Sequence, residues 1–316
     1  MRAVVFSDGQ VRYVTDQPKP VAQENESLVR IELSAICSTD REILRGYRPD
    51  FSGVLGHEFV GIVEQSGTAS LVGQRVVGEI NLSCGQCLYC QSGRPHHCSE
   101  RQTLGINNKD GSFADFITLP TELLWPVGTD ITSEQAVYTE PLAAALRITE
   151  QVSFSDGIPV GIVGDGRLAL MICQVLAART NARITVIGRH TEKLRLFAPF
   201  AETALEPDAD STAIESFEVV IDATGNPSAL ARSISLTRSE GTLVMKSTYA
   251  EQALIDISEI VVREITIVGS RCGPFQPSLD LLSSKKVALP ELELHHPEDF
   301  TAAFGSQAFK SALDFR

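Results

Sequence analysis

Short apolar runs of β-type composition crowd the first ~120 residues. They are Ala3-Val4-Val5-Phe6, Leu28-Val29-Arg30-Ile31-Glu32-Leu33, Val60-Gly61-Ile62-Val63 and Arg75-Val76-Val77. Glycines, prolines and Asx-type turns separate them, so the pattern predicts a β-rich domain with long loops. From about Pro141 the texture changes. Val160-Gly161-Ile162-Val163 reads as a buried strand, Leu168 to Ala178 as a helix apolar on nearly every face, and Ile184-Thr185-Val186-Ile187 as a second strand. Val219-Val220-Ile221, Thr242-Leu243-Val244-Met245 and Ile265-Thr266-Ile267-Val268 continue the alternation. Strand and helix alternating at this spacing predict a doubly wound parallel sheet, hence an α/β protein. After Gly269 the signals weaken. The last ~45 residues are too few for a domain of their own and are expected to rejoin the first one.

A length of 316 residues accommodates two domains, and 43% hydrophobic with 21% charged residues fits a soluble globular enzyme. The net charge of -13 argues against a nucleic-acid partner, which needs a basic face for phosphates. The chain opens Met1-Arg2-Ala3-Val4-Val5-Phe6 and reaches Asp8-Gly9 before a long apolar run forms, so no secretory signal is expected. No stretch approaches the roughly 18 apolar residues of a membrane span. Seven cysteines, an odd number with four packed together, read as metal binding in a reducing compartment; the expected location is the cytoplasm.

Cys84, Cys87, Cys90 and Cys98 follow the spacing C-x2-C-x2-C-x7-C, which lets one loop, 84–98, fold round a single ion. His96 and His97 compete for the fourth position, but Cys98 completes an all-sulfur shell. Four protein ligands leave no vacancy, so this zinc is expected to be structural. A looser set, Cys37, His57-Glu58 and Glu140, is of the mixed kind that leaves a position open for substrate.

The segments Cys37-Ser38-Thr39-Asp40-Arg41-Glu42-Ile43 and Gly56-His57-Glu58-Phe59-Val60-Gly61 resemble those of the zinc-dependent medium-chain dehydrogenases, the alcohol and polyol dehydrogenases. The likeness extends over almost the whole chain. It includes the four-cysteine loop, Gly111-Ser112-Phe113-Ala114-Asp115-Phe116, Glu140-Pro141-Leu142-Ala143 and the nucleotide fold. It implies a GroES-like catalytic domain over 1–141 plus 272–316 and a Rossmann domain over 142–271. It assigns Cys37 and His57 as catalytic zinc ligands. Glu140 matches the glutamate that sugar- and polyol-oxidising relatives use as a further ligand. Glu58 would be an alternating ligand or close neighbour. Asp40 is expected to accept the second ring N–H of His57, as carboxylates behind metal ligands do. Thr39 would take the substrate proton, and Glu42 holds the position where family members often end the proton relay on a histidine. Arg41 beside it offers the alternative of a surface ion pair. Relatives are commonly dimers or tetramers, so a homo-oligomer is expected.

Gly164-Asp165-Gly166-Arg167-Leu168-Ala169 lies between a predicted strand and helix, where the dinucleotide fingerprint belongs. Gly164, Gly166, Arg167 and Leu168 are the candidate cofactor residues there. Asp165 would repel pyrophosphate unless turned away or capping the helix. The second strand ends in Gly188-Arg189-His190 and not in the acid that binds the ribose hydroxyls of NAD, so NADP is favoured over NAD. Asp222-Ala223-Thr224-Gly225 resembles the family's loop beside the cofactor and adds Thr224 to the set. Lys246 either approaches the nicotinamide or is a surface lysine; Cys173 is expected in the core.

The expected activity is zinc-dependent hydride transfer between NAD(P) and an alcohol, polyol or sugar hydroxyl. A simple alcohol dehydrogenase or aldehyde reductase is the alternative. A non-catalytic cofactor-binding protein is a third, against which the intact Cys37, Thr39 and His57 argue.

Overall fold

A computed structural model describes residues 1–206, 215–248 and 251–316. Contacts divide the chain into two units. The first comprises Met1–Glu140, Phe275–Ser284 and Leu289–Arg316, the second Pro141–Pro274 and Lys285–Ala288.

In the first unit a seven-stranded sheet is built around β1 (Glu26–Ala35). The other strands are β2 (Glu58–Gln65), β3 (Arg75–Gly78), β4 (Phe116–Pro120), β5 (Leu124–Pro126), β12 (Leu292–His295) and β13 (Lys310–Asp314). Their order is β5-β3-β2-β1-β13-β12, with β4 also pairing β1. Ten residues make β1 long enough to hold β4 along its first half, Arg30 opposite Phe116, and β13 along its last residues, Ala35 opposite Ala312. Leu28, Val29, Ile31, Leu33 and Ala35 are all buried, the reason this run reads so clearly as a strand. A helix, α1 (Ser38–Leu44), follows β1 directly.

In the second unit β6 (Pro159–Val163), β7 (Arg183–Gly188), β8 (Glu202–Leu205), β9 (Phe217–Asp222), β10 (Thr237–Met245) and β11 (Thr266–Gly269) form one parallel sheet. The order β8-β7-β6-β9-β10-β11 reverses between β6 and β9. That reversal is the point where open α/β sheets bind ligands, outside the carboxyl ends of the strands. The helix after β6, α3 (Arg167–Arg179), buries every residue from Ala169 to Leu176, as its all-round apolar sequence predicts. It is preceded in the chain by α2 (Thr139–Gln151), which spans the boundary between the units. Strand β8 carries no apolar run and was invisible to periodicity; parallel pairing to β7 makes it a strand. Among the described residues no helix is long and apolar enough to cross a membrane.

Candidate functional site

Cys37 caps the N-terminus of α1, where its backbone N–H donates to Asp40 Oδ2 at 2.7 Å. This is a local device, an acid three residues into the helix, and it orients both the cysteine and the aspartate. His57 and Glu58 come from the turn entering β2. Gly56 sits at φ +93, and a Cβ there would fall 2.4 Å from the Phe113 ring, so only glycine permits the turn. The Gly111–Phe113 stretch clamps it: Ser112 N donates to Gly56 O at 2.9 Å and Phe113 N to Leu55 O at 2.8 Å.

The result is a cluster in which ligand atoms of Cys37, His57 and Glu58 all lie within 4.8 Å of one another. His57 and Glu58 are buried and Cys37 is half-buried. Asp40, fully buried, places Oδ1 3.3 Å from His57 Nδ1, an approach whose geometry is an ionic contact rather than a formed hydrogen bond. Burial alone would lower the His57 pKa, but the Asp40 carboxylate and the Cys37 sulfur outweigh it and raise it well above the ordinary value. A thiol, an imidazole and a carboxyl converging in a buried pocket fit a zinc ion that displaces the imidazole proton. Thr39 is half-buried with its hydroxyl 3.8 Å from Cys37 Sγ.

Glu140 stands half-buried in the first turn of α2 and does not belong to the set of mutually close ligand atoms. Glu58 has a partner that sequence reasoning missed: Lys310 of β13, also buried, donates Nζ to Glu58 Oε2. The only trace in the sequence was a charged residue inside a short strand. Glu42 pairs with Arg45, whose Nη1 lies 2.7 Å from Glu42 Oε1.

The four-cysteine loop brings Cys84, Cys87, Cys90 and Cys98 within 4.8 Å of one another, with Cys87–Cys90 and Cys84–Cys98 sulfurs 3.5 Å apart. A tetrahedron with Zn–S bonds of about 2.3 Å requires sulfurs about 3.8 Å apart, so the cage suits zinc. Gly85 and Gly93 both take positive φ, +72 and +73, to make the loop's reversals. Backbone N–H groups of Cys90 and Ser99 pull the Cys87 thiol down to about 6, into the thiolate form that a metal needs.

In the second unit Gly164 occupies the left-handed region at φ +120, and a Cβ there would meet the Ala223 carbonyl at 2.9 Å. Gly166 caps α3 without any side-chain acceptor, and a Cβ on it would meet nothing within 4 Å. An uncrowded helix N-terminus that no side chain caps fits a dinucleotide pyrophosphate. Arg167 and Leu168 open that helix, both half-buried. Asp165 does not cap the helix. Its Oδ2 accepts from Arg189 N at 2.7 Å, His190 N at 2.8 Å and His190 Nδ1 at 2.9 Å. Desolvation opposes the charge, but these donors prevail and hold the carboxyl below its usual range. Thr224 turns back on its own loop, donating N and Oγ1 to Asp222 Oδ1 at 3.0 and 2.9 Å. Lys246 is buried, and its Nζ binds Ala144 O, Arg271 O and Ser270 Oγ at 2.7, 2.9 and 3.3 Å, so it is no surface lysine.

Comparison with known proteins adds to this picture. Residues 23–129 match the model of the alcohol dehydrogenase GroES-like domain, and residues 168–284 that of the zinc-binding dehydrogenases. An L-threonine 3-dehydrogenase of Xanthomonas oryzae is 30% identical over 277 residues, 80% of this chain and 78% of its own. A sorbitol dehydrogenase of Halalkalibacterium halodurans is 29% identical over 303 residues, 89% of this chain and 88% of its own. Among solved structures, a protein of Sinorhizobium meliloti described as a zinc-binding dehydrogenase bound to NADP superposes with a TM-score of 0.88 at 26% identity, covering 99% of this chain and 98% of that one. The similar solved structures include complexes with NADH as well as NADP.

Proposed function

Since the chain belongs to the zinc-dependent medium-chain dehydrogenases, the family of alcohol and polyol dehydrogenases, we propose that it oxidises a secondary alcohol, polyol or sugar hydroxyl, and reduces the matching carbonyl, by hydride exchange with a nicotinamide cofactor. The observation that carries this reading is the buried convergence of Cys37, His57 and Glu58 beside the Thr39 hydroxyl. Cys37 and His57 would hold a catalytic zinc, with Glu58 and Glu140 as the carboxylates available to it. Cys84, Cys87, Cys90 and Cys98 would hold a structural one. Bound there, zinc would acidify the alcohol and the nicotinamide would take the hydride.

The chain's own residues supply the rest. Asp40 fixes the His57 ring through its buried carboxylate and keeps the imidazole aimed at the metal. Thr39, two residues after Cys37 on α1, presents its hydroxyl to receive the substrate proton. Glu42, one turn along the same helix, partly solvent-exposed and paired with Arg45, passes that proton outward. At the other site the first-turn amides of α3, with Gly164, Gly166, Arg167 and Leu168, receive the pyrophosphate, and Thr224 closes the loop beside it.

NADP is proposed as the favoured cofactor. Gly188 ends β7 where an acid would bind the ribose hydroxyls, and both Arg189 and His190 are exposed. A homo-oligomer is also proposed, because β11 is the sheet edge and Ile257, Val261, Val262 and Ile267 expose apolar surface beside it. A panel of alcohols, polyols and sugars, assayed with NAD and NADP separately alongside a zinc count, tests the function. Two zinc ions per chain and zinc-dependent NADP reduction are expected. Turnover that survives complete removal of zinc would overturn the proposal. Arg189→Asp should swing the preference toward NAD.

A further inference from the structure

The strand-end acid that reads ribose hydroxyls in NAD-binding sheets is missing, yet an acid has not left the neighbourhood. A Cβ on Gly188 would lie 2.7 Å from the Cβ of Asp165 and 2.8 Å from its Oδ2. Asp165 therefore fills the space in which an acid at position 188 would begin, and the two are mutually exclusive. The Asp165 carboxylate arrives from a deeper level, from the loop between β6 and α3, and only 8% of the residue is exposed. Three N–H groups converge on one of its oxygens, two from the backbone of Arg189 and His190 and one from the His190 ring.

This geometry has two consequences. An ionised carboxylate only accepts hydrogen bonds, so His190 Nδ1 must carry a hydrogen; Nε2, on a side chain 53% exposed, then donates to an anion only in the imidazolium, which carries a hydrogen on both ring nitrogens. The backbone of the turn is pinned at two successive amides, which fixes where the exposed Arg189 side chain starts. A recessed anion with its charge met by three donors, under an exposed guanidinium and imidazolium, is suited to orienting cations toward a phosphate monoester.

We propose that Asp165 is a specificity-determining positioning residue: it holds the Gly188–Arg189–His190 turn so that the Arg189 guanidinium and the Nε2–H of the His190 imidazolium together grip the 2′-phosphate of NADP. The proposal rests on the NADP preference proposed above and assigns the residue that organises it. Asp165 touches no part of the phosphate itself; it acts through the turn and the ring.

Calorimetric titration of the zinc-replete full chain with adenosine 2′,5′-bisphosphate and with adenosine 5′-monophosphate tests it independently of turnover. The wild type should bind the bisphosphate about tenfold or more tightly than the monophosphate. Asp165→Asn and His190→Ala should each erase most of that ratio, chiefly by weakening the bisphosphate. A wild type with no preference would remove the NADP reading and this inference together. A wild-type preference kept by both variants would remove only the role of Asp165 and His190. A preference that grows in Asp165→Asn would show the carboxylate opposing the phosphate and would also overturn it. Should Asp165→Asn fold poorly or lose both ligands alike, His190→Ala at its exposed position decides: loss of the ratio supports the proposal, an unchanged ratio refutes it.

Discussion

Lys310 donates its ammonium hydrogen to the carboxylate of Glu58, joining two buried side chains 252 positions apart in the chain. The pair ties β13 to the residue that follows His57 and sets where the Glu58 carboxylate rests. Removing one partner from a buried ion pair leaves an uncompensated charge, which costs about 3–5 kcal/mol, whereas replacing both with neutral groups costs far less. Lys310→Met is therefore expected to lower unfolding stability in urea by about that amount. The double variant Lys310→Met/Glu58→Gln should recover most of it. Additive losses in the double variant would show that the two charges do not depend on each other.

Asp40 is expected to govern only one of the two metal sites. It contacts Cys37 and His57. Asp40→Asn should weaken the catalytic zinc by about 10- to 100-fold, the usual effect of losing a carboxylate behind a histidine ligand. The sulfur-bound zinc should stay in place. Chelator competition followed by metal counting distinguishes loss of one ion from loss of both.

The raised pKa of His57 gives opposite pH slopes with and without metal. In zinc-free protein the protonated imidazole is favoured by folding, so its stabilisation is fully present below the unfolded value of about 6.5 and is lost as pH rises through the higher folded value. Zinc needs the neutral ring, so its binding should strengthen over the same rise. Thermal unfolding of zinc-free protein from pH 6 to 9 should show a falling Tm that His57→Gln abolishes. Equal slopes in the two proteins would place the responsible proton elsewhere.

Thiol chemistry should separate the cysteines by environment. Burial pushes Cys173 up to about 12 and leaves it wholly inaccessible, so alkylation at neutral pH should spare it until the chain unfolds. With zinc bound the four loop sulfurs should resist as well. After chelation Cys87, whose thiol lies at about 6, should react early. Peptide mass spectrometry reads each site separately, and early labelling of Cys173 would contradict its placement.

Much of this was legible because it is local. The apolar alternation of Leu28 to Leu33, the all-round apolar helix after Gly166 and the spacing of the four cysteines depend on residues close in the chain. So does the acid that caps Cys37, three positions on. Strand β8 was not legible, since its four residues carry no apolar alternation long enough to read and become a strand by lying beside β7. Glu42 is instructive in the same way: the sequence put forward only the adjacent Arg41, whereas the helical spacing of three brings Arg45 to it.

By itself the amino-acid order settled which chemistry is present: thiols and an imidazole at metal-binding spacings, a glycine turn between strand and helix, and two unlike textures in one chain. It left open whether Asp165 would repel a cofactor, cap a helix or turn aside, and whether Lys246 was exposed. Tertiary structure decided both, sending Asp165 to the amides of Arg189 and His190 and burying Lys246 against Ala144 and Arg271 carbonyls. The reason is one of range. Periodicity and ligand spacing are carried by neighbours along the chain, whereas the partner of a buried charge is chosen by whatever distant backbone the packed sheets bring within hydrogen-bonding distance.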